Sequence, residues 1–387
     1  MTGTAKQPWR IQVSNGMFIA MIVNLIYVKA IGVTQGVVAR IVGQDMWIVM
    51  LVGTLQGVAM MYVTYLVVRR TPGRDFMEAA ELMLGRWFGK LVALLVFVLF
   101  FAGFGPIMIT FVYHIHEYFL PEMPISLIIF ASLIVGAIGC YYGLEVMARI
   151  ALAGLFFIFL LNVMIVIGST DEFDILNLLP VLEDGFPRAL GASIHFDADW
   201  ALATMLAALV MPLVKDHPRS GGKVGALGIL LSGLLIIIWS ILEAAVLSAE
   251  VTSQYTLSCM KLAHNAHIGH FLQRYEMVMI ALYSLPILFE IMFSLYGCSV
   301  SMAKIFGIGS HKPTIVPVGL AMGAFAYWIV EDHFRAIEYL EQVWPFIALP
   351  IAVGLPLLLL TLGTLLKGRL RSHGKLPQTP DQPSGEG

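Results

Sequence analysis

The chain has 387 residues, of which 59% are hydrophobic and 12% charged, with a mean hydropathy of +0.85 and a net charge of −2. A water-soluble domain carries about 25% charged residues, so the composition excludes that class and points to a polytopic membrane protein. The net charge is neutral on the question of nucleic acid, and no basic aromatic-rich patch is present, so no nucleic-acid partner is expected.

A membrane span needs about 20 apolar residues, and the chain offers roughly ten such runs. Span 1 is expected over 11–38. Lys6 and Arg10 precede it without a short apolar core and small-residue cleavage site, so no cleavable signal peptide is expected. Span 2 follows over 47–68. A basic loop with a short amphipathic segment, 75–84, leads to span 3 at 91–113. Spans 4 and 5 are expected at 125–142 and 150–168, followed by an acidic loop, 169–192. Span 6 starts poorly and becomes convincing only over 200–214. Span 7 takes 224–247, span 8 275–303, span 9 315–330 and span 10 343–366. The segment 1–10 is expected as a cytoplasmic N-terminus. The Pro-containing polar tail, 367–387, is expected to be a disordered cytoplasmic segment.

Lys and Arg crowd the loops on one side, with Arg69, Arg70, Arg74, Arg149 and Lys304 among them. The opposite loops hold only Arg40, Arg188, Lys261, Arg274 and Arg335. The positive-inside bias therefore predicts that both termini are cytoplasmic. Cys140, Cys259 and Cys298 lack metal spacing and read as packing residues.

Two stretches depart from what a membrane helix prefers. In span 1, Lys29 is followed by Ile31, Gly32, Val33, Thr34, Gln35 and Gly36. Each Gly weakens a helix by about 1 kcal/mol relative to Ala. Irregular backbone at membrane depth survives only inside protein or beside a wet cavity. This stretch therefore breaks around a ligand or packs tightly against a partner. In span 6, His195, Phe196, Asp197, Ala198 and Asp199 put three ionisable groups just ahead of a strongly apolar half-span. The segment 189–194 offers the other half; alternatively these residues cap the helix at the interface.

Interrupted helices five spans apart are the pattern of inverted-repeat transporters and point to the binding site. Half-helix N-termini attract a carboxylate, and free carbonyls at C-terminal ends attract an ammonium group, so an amino acid suits both. Glu290 lies mid-span in span 8, where a charge is costly and normally partnered. Lys29 is the deep cation available to it. A Lys29–Glu290 pair is expected, either as a strut or as a protonation switch.

Glu243 in span 7 is expected to bond a neighbouring helix, and Glu145 to pair with Arg149 one turn on. His264, His267 and His270 are three apart, but no carboxylate or thiolate spacing supports zinc. No metal, cofactor or enzyme motif is expected: GxSxG, HExxH, Walker A and GxGxxG are all absent.

YGLEVMARIA at 142–151, FDILNLLPVLEDG at 173–185, YFLPEMP at 118–124, LGRWFGKL at 84–91 and SVSMAKIFGI at 299–308 resemble the spore germination receptor B-subunit family, a branch of the amino acid–polyamine–organocation transporters. The resemblance covers about 11–366 and implies a leucine-transporter-like fold. That fold is all-α, with ten transmembrane helices in five-plus-five inverted repeats, 11–168 and 189–366, and with spans 1 and 6 broken.

The resemblance further implies residence in the spore inner membrane, A-type and C-type partner subunits, and a small germinant such as an amino acid. A proton-coupled amino acid transporter is the alternative. Relatives often carry an IGTG-like break in span 1, a PFG-E stretch in span 6 and a lysine in span 8. This chain has Ile31-Gly32-Val33-Thr34, His195–Asp199 and Glu290 there, so the ligand does not transfer.

Overall fold

The computed structural model describes residues 13–215, 217–268, 272–273 and 275–366. The expected N-terminal segment 1–10, the tail 367–387 and His270 lie outside them.

Among the described residues, nine helical runs are long and apolar enough to cross a membrane. The first, Asn15–Arg70, has 56 residues. At 1.5 Å per residue that is about 84 Å, against roughly 30 Å for a bilayer core. It is therefore two spans. Gly43, at φ 59°, divides them and opens a 3-10 turn, Gly43–Asp45.

Ten crossings result. Span 1 comprises Asn15–Lys29, Ala30–Thr34 and Gln35–Val42. Spans 2 to 5 are Met46–Arg70, Arg86–Tyr118, Ile125–Tyr142 and Leu144–Gly168. Span 6 is Ile194–Leu213, preceded by the short helix Phe186–Ala192. Span 7 is His217–Leu242 continued by Glu243–Leu247. Span 8 is Glu276–Phe306 and span 9 is Ile315–Val330. Span 10 runs from His333 to Leu365. The protein is a multi-pass membrane protein with the expected ten-span architecture.

Spans 1 and 6 occupy the centre. The most apolar window of span 6 is 94% buried, against 33% in spans 4 and 5, whose apolar faces are left to lipid. Span 1 packs against spans 5, 6, 7 and 8, and span 6 against spans 1, 2 and 10.

The interruption in span 1 is π-helical rather than unwound: Ala30–Thr34 widens the helix immediately after Lys29. Such bulges occur mostly within α-helices and often at functional sites. Two more lie in the second repeat, Glu243–Leu247 in span 7 and Tyr339–Val343 in span 10. Span 6 is interrupted at Ser193, between its two helical parts.

Gly32 and Gly36 of span 1 serve close packing. A Cβ on Gly32 would meet Thr110 Cγ2 at 2.7 Å, and one on Gly36 would meet the Tyr255 carbonyl oxygen at 2.4 Å. That second neighbour is backbone and cannot rotate away. Gly36→Ala is therefore expected to cost about 1–3 kcal/mol, read as a lowered Tm of the purified protein in detergent. Gly191→Ala, which meets nothing within 4 Å, serves as the control.

The 173–185 motif forms a strap over the end of the bundle that carries Arg40. The Asp174 N–H and Asn177 Nδ2 both donate to the Ala245 carbonyl in the π-helical end of span 7, at 3.2 and 2.9 Å. Gln44 Nε2 donates to the Pro180 carbonyl at 2.7 Å, and Asp45 accepts from the Leu182 N–H at 2.9 Å. The strap thus ties the turn after span 1 to span 7.

Between spans 7 and 8 a helical hairpin, Ala249–Gln254 and Ser258–Asn265, covers the same end. Its inner residues Leu257, Cys259, Met260 and Leu262 are buried.

Candidate functional site

Lys29 is fully buried, and its Nζ lies 2.7 Å from Asp199 Oδ1. Thr34 Oγ1 donates to the other carboxylate oxygen of Asp199 at 2.7 Å. Both partners of Asp199 therefore come from the interrupted stretch of span 1. The π-helical widening places Lys29, before it, and Thr34, at its end, on the face that meets span 6. Nζ also lies 5.5 Å from the centre of the Trp344 ring, a cation–π contact from span 10.

A small cavity adjoins this cluster, lined by Val33, Thr34, Val37, Pro106, His195, Asp199, Leu340 and Trp344. Its volume, about 10 Å³, holds roughly one water. Spans 1, 3, 6 and 10 all contribute. Thr34, His195 and Asp199 form its polar side and apolar groups the rest, while Lys29 pairs with Asp199 without itself lining the space.

On the Arg40 side, Arg40 binds Glu341 through Nε and Nη2, at 3.1 and 2.8 Å. Its Nη1 donates to the Ser253 carbonyl at 3.1 Å. This one residue links the end of span 1, the π-helical segment of span 10 and the 249–265 hairpin.

The expected site residues divide. Val33, Thr34, His195 and Asp199 reach the cavity. Gly32 packs on Thr110 and Tyr283, Gln35 accepts from Ser240 Oγ at 2.9 Å, and Gly36 sits under Tyr255. Ile31 and Ala198 are buried in the core. Phe196 packs against Gly53 of span 2. Asp197 is a local anchor: it accepts from Trp200 Nε1 at 2.8 Å and from Ser193 Oγ at 3.3 Å, and it faces Gln56 of span 2. Neighbouring residues on a helix point about 100° apart, so one continuous stretch could not all face one cavity.

The expected Lys29–Glu290 pair does not form. Spans 1 and 8 are neighbours, but Lys29 reaches Asp199 instead, and neither oxygen of Glu290 has a hydrogen-bond partner. Asp199 on span 6 receives two donors from span 1, Lys29 and Thr34, where Glu290 would receive one.

Glu145 and Arg149 pair as expected at 2.5 Å. Among the described residues no His, Cys, Asp and Glu cluster suits a metal; His264 instead contacts Glu276. All three cysteines are buried and free. Leu340 and Trp344 had no signal in the sequence. Pro106 did, as a proline within span 3, and it lines the cavity.

The sequence profile described as spore germination protein matches residues 12–334. The chain belongs to the spore germination protein family. Among its curated relatives, spore germination protein KB of Bacillus subtilis (strain 168) is 23% identical over 340 residues, 84% of this chain and 88% of the relative. Spore germination protein YndE of the same organism is 24% identical over 348 residues, covering 89% and 94%.

In fold, this spore germination protein is similar to MHP1, a nucleobase-cation-symport-1 family transporter solved in a closed conformation with bromovinylhydantoin bound. The TM-score is 0.70 at 14% identity, covering 92% of this chain and 80% of MHP1. A manganese transporter from Eremococcus coleocola aligns with a TM-score of 0.64 at 12% identity, over 98% and 91%. These likenesses establish the transporter-type inverted-repeat fold.

Proposed function

We propose that this chain is the ligand-binding membrane subunit of a spore germinant receptor, sensing a small zwitterion such as an amino acid. The observation that carries the reading is the Lys29–Asp199 pair, set between interrupted spans 1 and 6 beside a small cavity that Asp199 lines. A ligand carboxylate would take up Lys29, and a ligand ammonium would take up Asp199. The apolar wall of Val33, Val37, Leu340 and Trp344 would receive its side chain. The cavity is too small for such a ligand as it stands, so binding must move spans 1 and 10 apart from span 6.

In this reading the movement is passed to A-type and C-type subunits. The protein sits in the spore inner membrane with both termini cytoplasmic, and the Arg40 end faces outward. The two repeats run 11–168 and 189–366.

Glu290 favours a second reading, a proton-coupled amino acid transporter. It is a fully buried carboxyl without a hydrogen-bond partner, on the span that flanks Lys29. Proteoliposomes holding the chain alone separate the two. Saturable binding of labelled amino acids without accumulation is the expected result for a sensor. Accumulation driven by an inward proton gradient and lost in Glu290→Gln would establish the carrier. Neither binding nor uptake across the amino acid mixture would remove both.

A further inference from the structure

A second buried polar cluster lies at the end of span 7, away from the Lys29–Asp199 pair. Glu243 opens the π-helical segment there and is fully buried. Neither of its carboxyl oxygens has a hydrogen-bond partner. One turn earlier, Ser240 Oγ donates to Gln35 Oε1 at 2.9 Å, which brings the span 1 amide alongside. Gln35 Nε2 is itself without a partner, as is the hydroxyl of Ser258.

The groups facing Glu243 can be taken element by element. From the 249–265 hairpin come Ser258, Cys259 and Thr252, whose hydroxyl donates to the Glu243 carbonyl at 3.2 Å. From span 3, His114 Nε2 lies 3.5 Å from Cys259 Sγ, while its Nδ1 bonds the Thr110 carbonyl at 2.6 Å. From the strap come Asp174 and Asn177, which bind Ala245 through a backbone N–H and a side-chain amide. None of these is a lysine or arginine. The Nδ1 contact to a carbonyl makes that nitrogen the donor.

A carboxylate in such surroundings has no cation to offset its desolvation, and the Ser258 hydroxyl that faces it is a single neutral donor. Ionising the group in place would carry that desolvation penalty. Ionisation would require water, and the 249–265 hairpin is what stands between Glu243 and the end of the bundle. The hairpin is held to span 1 by the hydrogen bond from Arg40 to the Ser253 carbonyl and by the packing of Tyr255 against Gly36.

We propose that Glu243 is a proton-binding site that latches the hairpin. With the carboxyl protonated, the hairpin stays seated on spans 1 and 7. When the proton passes to water, the carboxylate left behind is hydrated only with the hairpin lifted. The ligand is the proton itself, the site lies outside the ligand cavity, and rising pH favours the lifted form.

Cys259 reports on this directly, because it is buried beneath the hairpin next to Glu243. In the full chain carrying Cys140→Ser and Cys298→Ser, Cys259 is the only thiol. Its labelling rate with a maleimide in detergent is measured against pH, with and without Glu243→Gln. Dividing by the Glu243→Gln rate removes the intrinsic pH dependence of the thiol. The expected ratio climbs with pH, by about tenfold per unit where opening is linked to release of one proton. A ratio that stays flat overturns the proposal.

Should Glu243→Gln fail to fold, dicyclohexylcarbodiimide supplies a test on the unsubstituted chain, since it reacts with protonated carboxyls in apolar surroundings. An adduct on the Glu243 peptide that fades as pH rises is expected. Absence of that adduct at every pH overturns the assignment, and the Glu290 peptide reports whether the reagent reached the core.

Discussion

Lys29→Met is expected to destabilise the protein by about 3–5 kcal/mol, because it strands Asp199 as a buried carboxylate. The side chains at the two positions are 0% and 3% exposed, so water cannot take over from the lost ammonium. Thr34 remains as a donor to one oxygen of Asp199, but a single hydroxyl does not offset a full charge. The double variant Lys29→Met with Asp199→Asn removes both charges while keeping similar volumes. It is expected to recover most of the loss, since an isosteric neutral pair escapes the desolvation cost.

A double-mutant cycle on thermal unfolding in detergent checks this. A coupling energy near zero between the two positions would show that the pair does not exist in the membrane protein. Lys29→Met combined with Glu290→Gln should instead show markedly weaker coupling, because Glu290 makes no hydrogen bond to Lys29. In the proposed function, the recovered double variant would be folded and yet fail to bind ligand. That outcome would separate recognition from stability.

Trp344→Ala is expected to cost about 3–5 kcal/mol, the range for deleting a buried aromatic side chain. Trp344 is 2% exposed, carries the cation–π contact to Lys29 and lies close against Gly103 of span 3. Its indole N–H has no hydrogen-bond partner, so the loss is one of packing rather than of a buried bond. The same truncation opens the cavity by most of an indole ring.

Bound ligand preference should therefore move toward bulkier side chains in Trp344→Ala, with Trp344→Phe intermediate. Equilibrium binding of a size series of amino acids would show it. A variant destabilised as expected but unchanged in its size preference would place the ligand somewhere other than this cavity. Arg40 and Glu341 are about one-third exposed, and their pair contributes far less to stability, roughly 0–1 kcal/mol.

Much of the fold was legible because it rests on local properties. Ten runs of apolar residues can satisfy their backbone in a bilayer only as helices, and their count and approximate limits follow from length alone. The two interruptions were legible as well. Gly32 and Gly36 beside a lysine, and three ionisable residues ahead of an apolar half-span, are departures that a simple lipid-facing helix does not tolerate. Their separation by five spans carried the repeat architecture. The 173–185 motif carried the family resemblance, although its physical role, capping the widened end of span 7 from Asp174 and Asn177, became visible only in three dimensions.

What the tertiary structure decided was which groups meet. Lys29 had several acids at plausible depth, and sequence favoured Glu290 because it lies mid-span and Lys29 is the deep cation available to it. The π-helical segment after Lys29 sets its azimuth toward span 6, and Thr34 supplies a second donor there, so Asp199 is the partner. The same rotation sends Gln35 to Ser240 and leaves only Val33 and Thr34 of the Ile31–Gly36 stretch on the cavity. Leu340 and Trp344 join them from span 10, at and just beyond another π-helical segment. Hydrophobicity and spacing fix where a chain enters and leaves the membrane. The azimuth of each side chain depends on long-range crossings and helix bulges that no local pattern encodes.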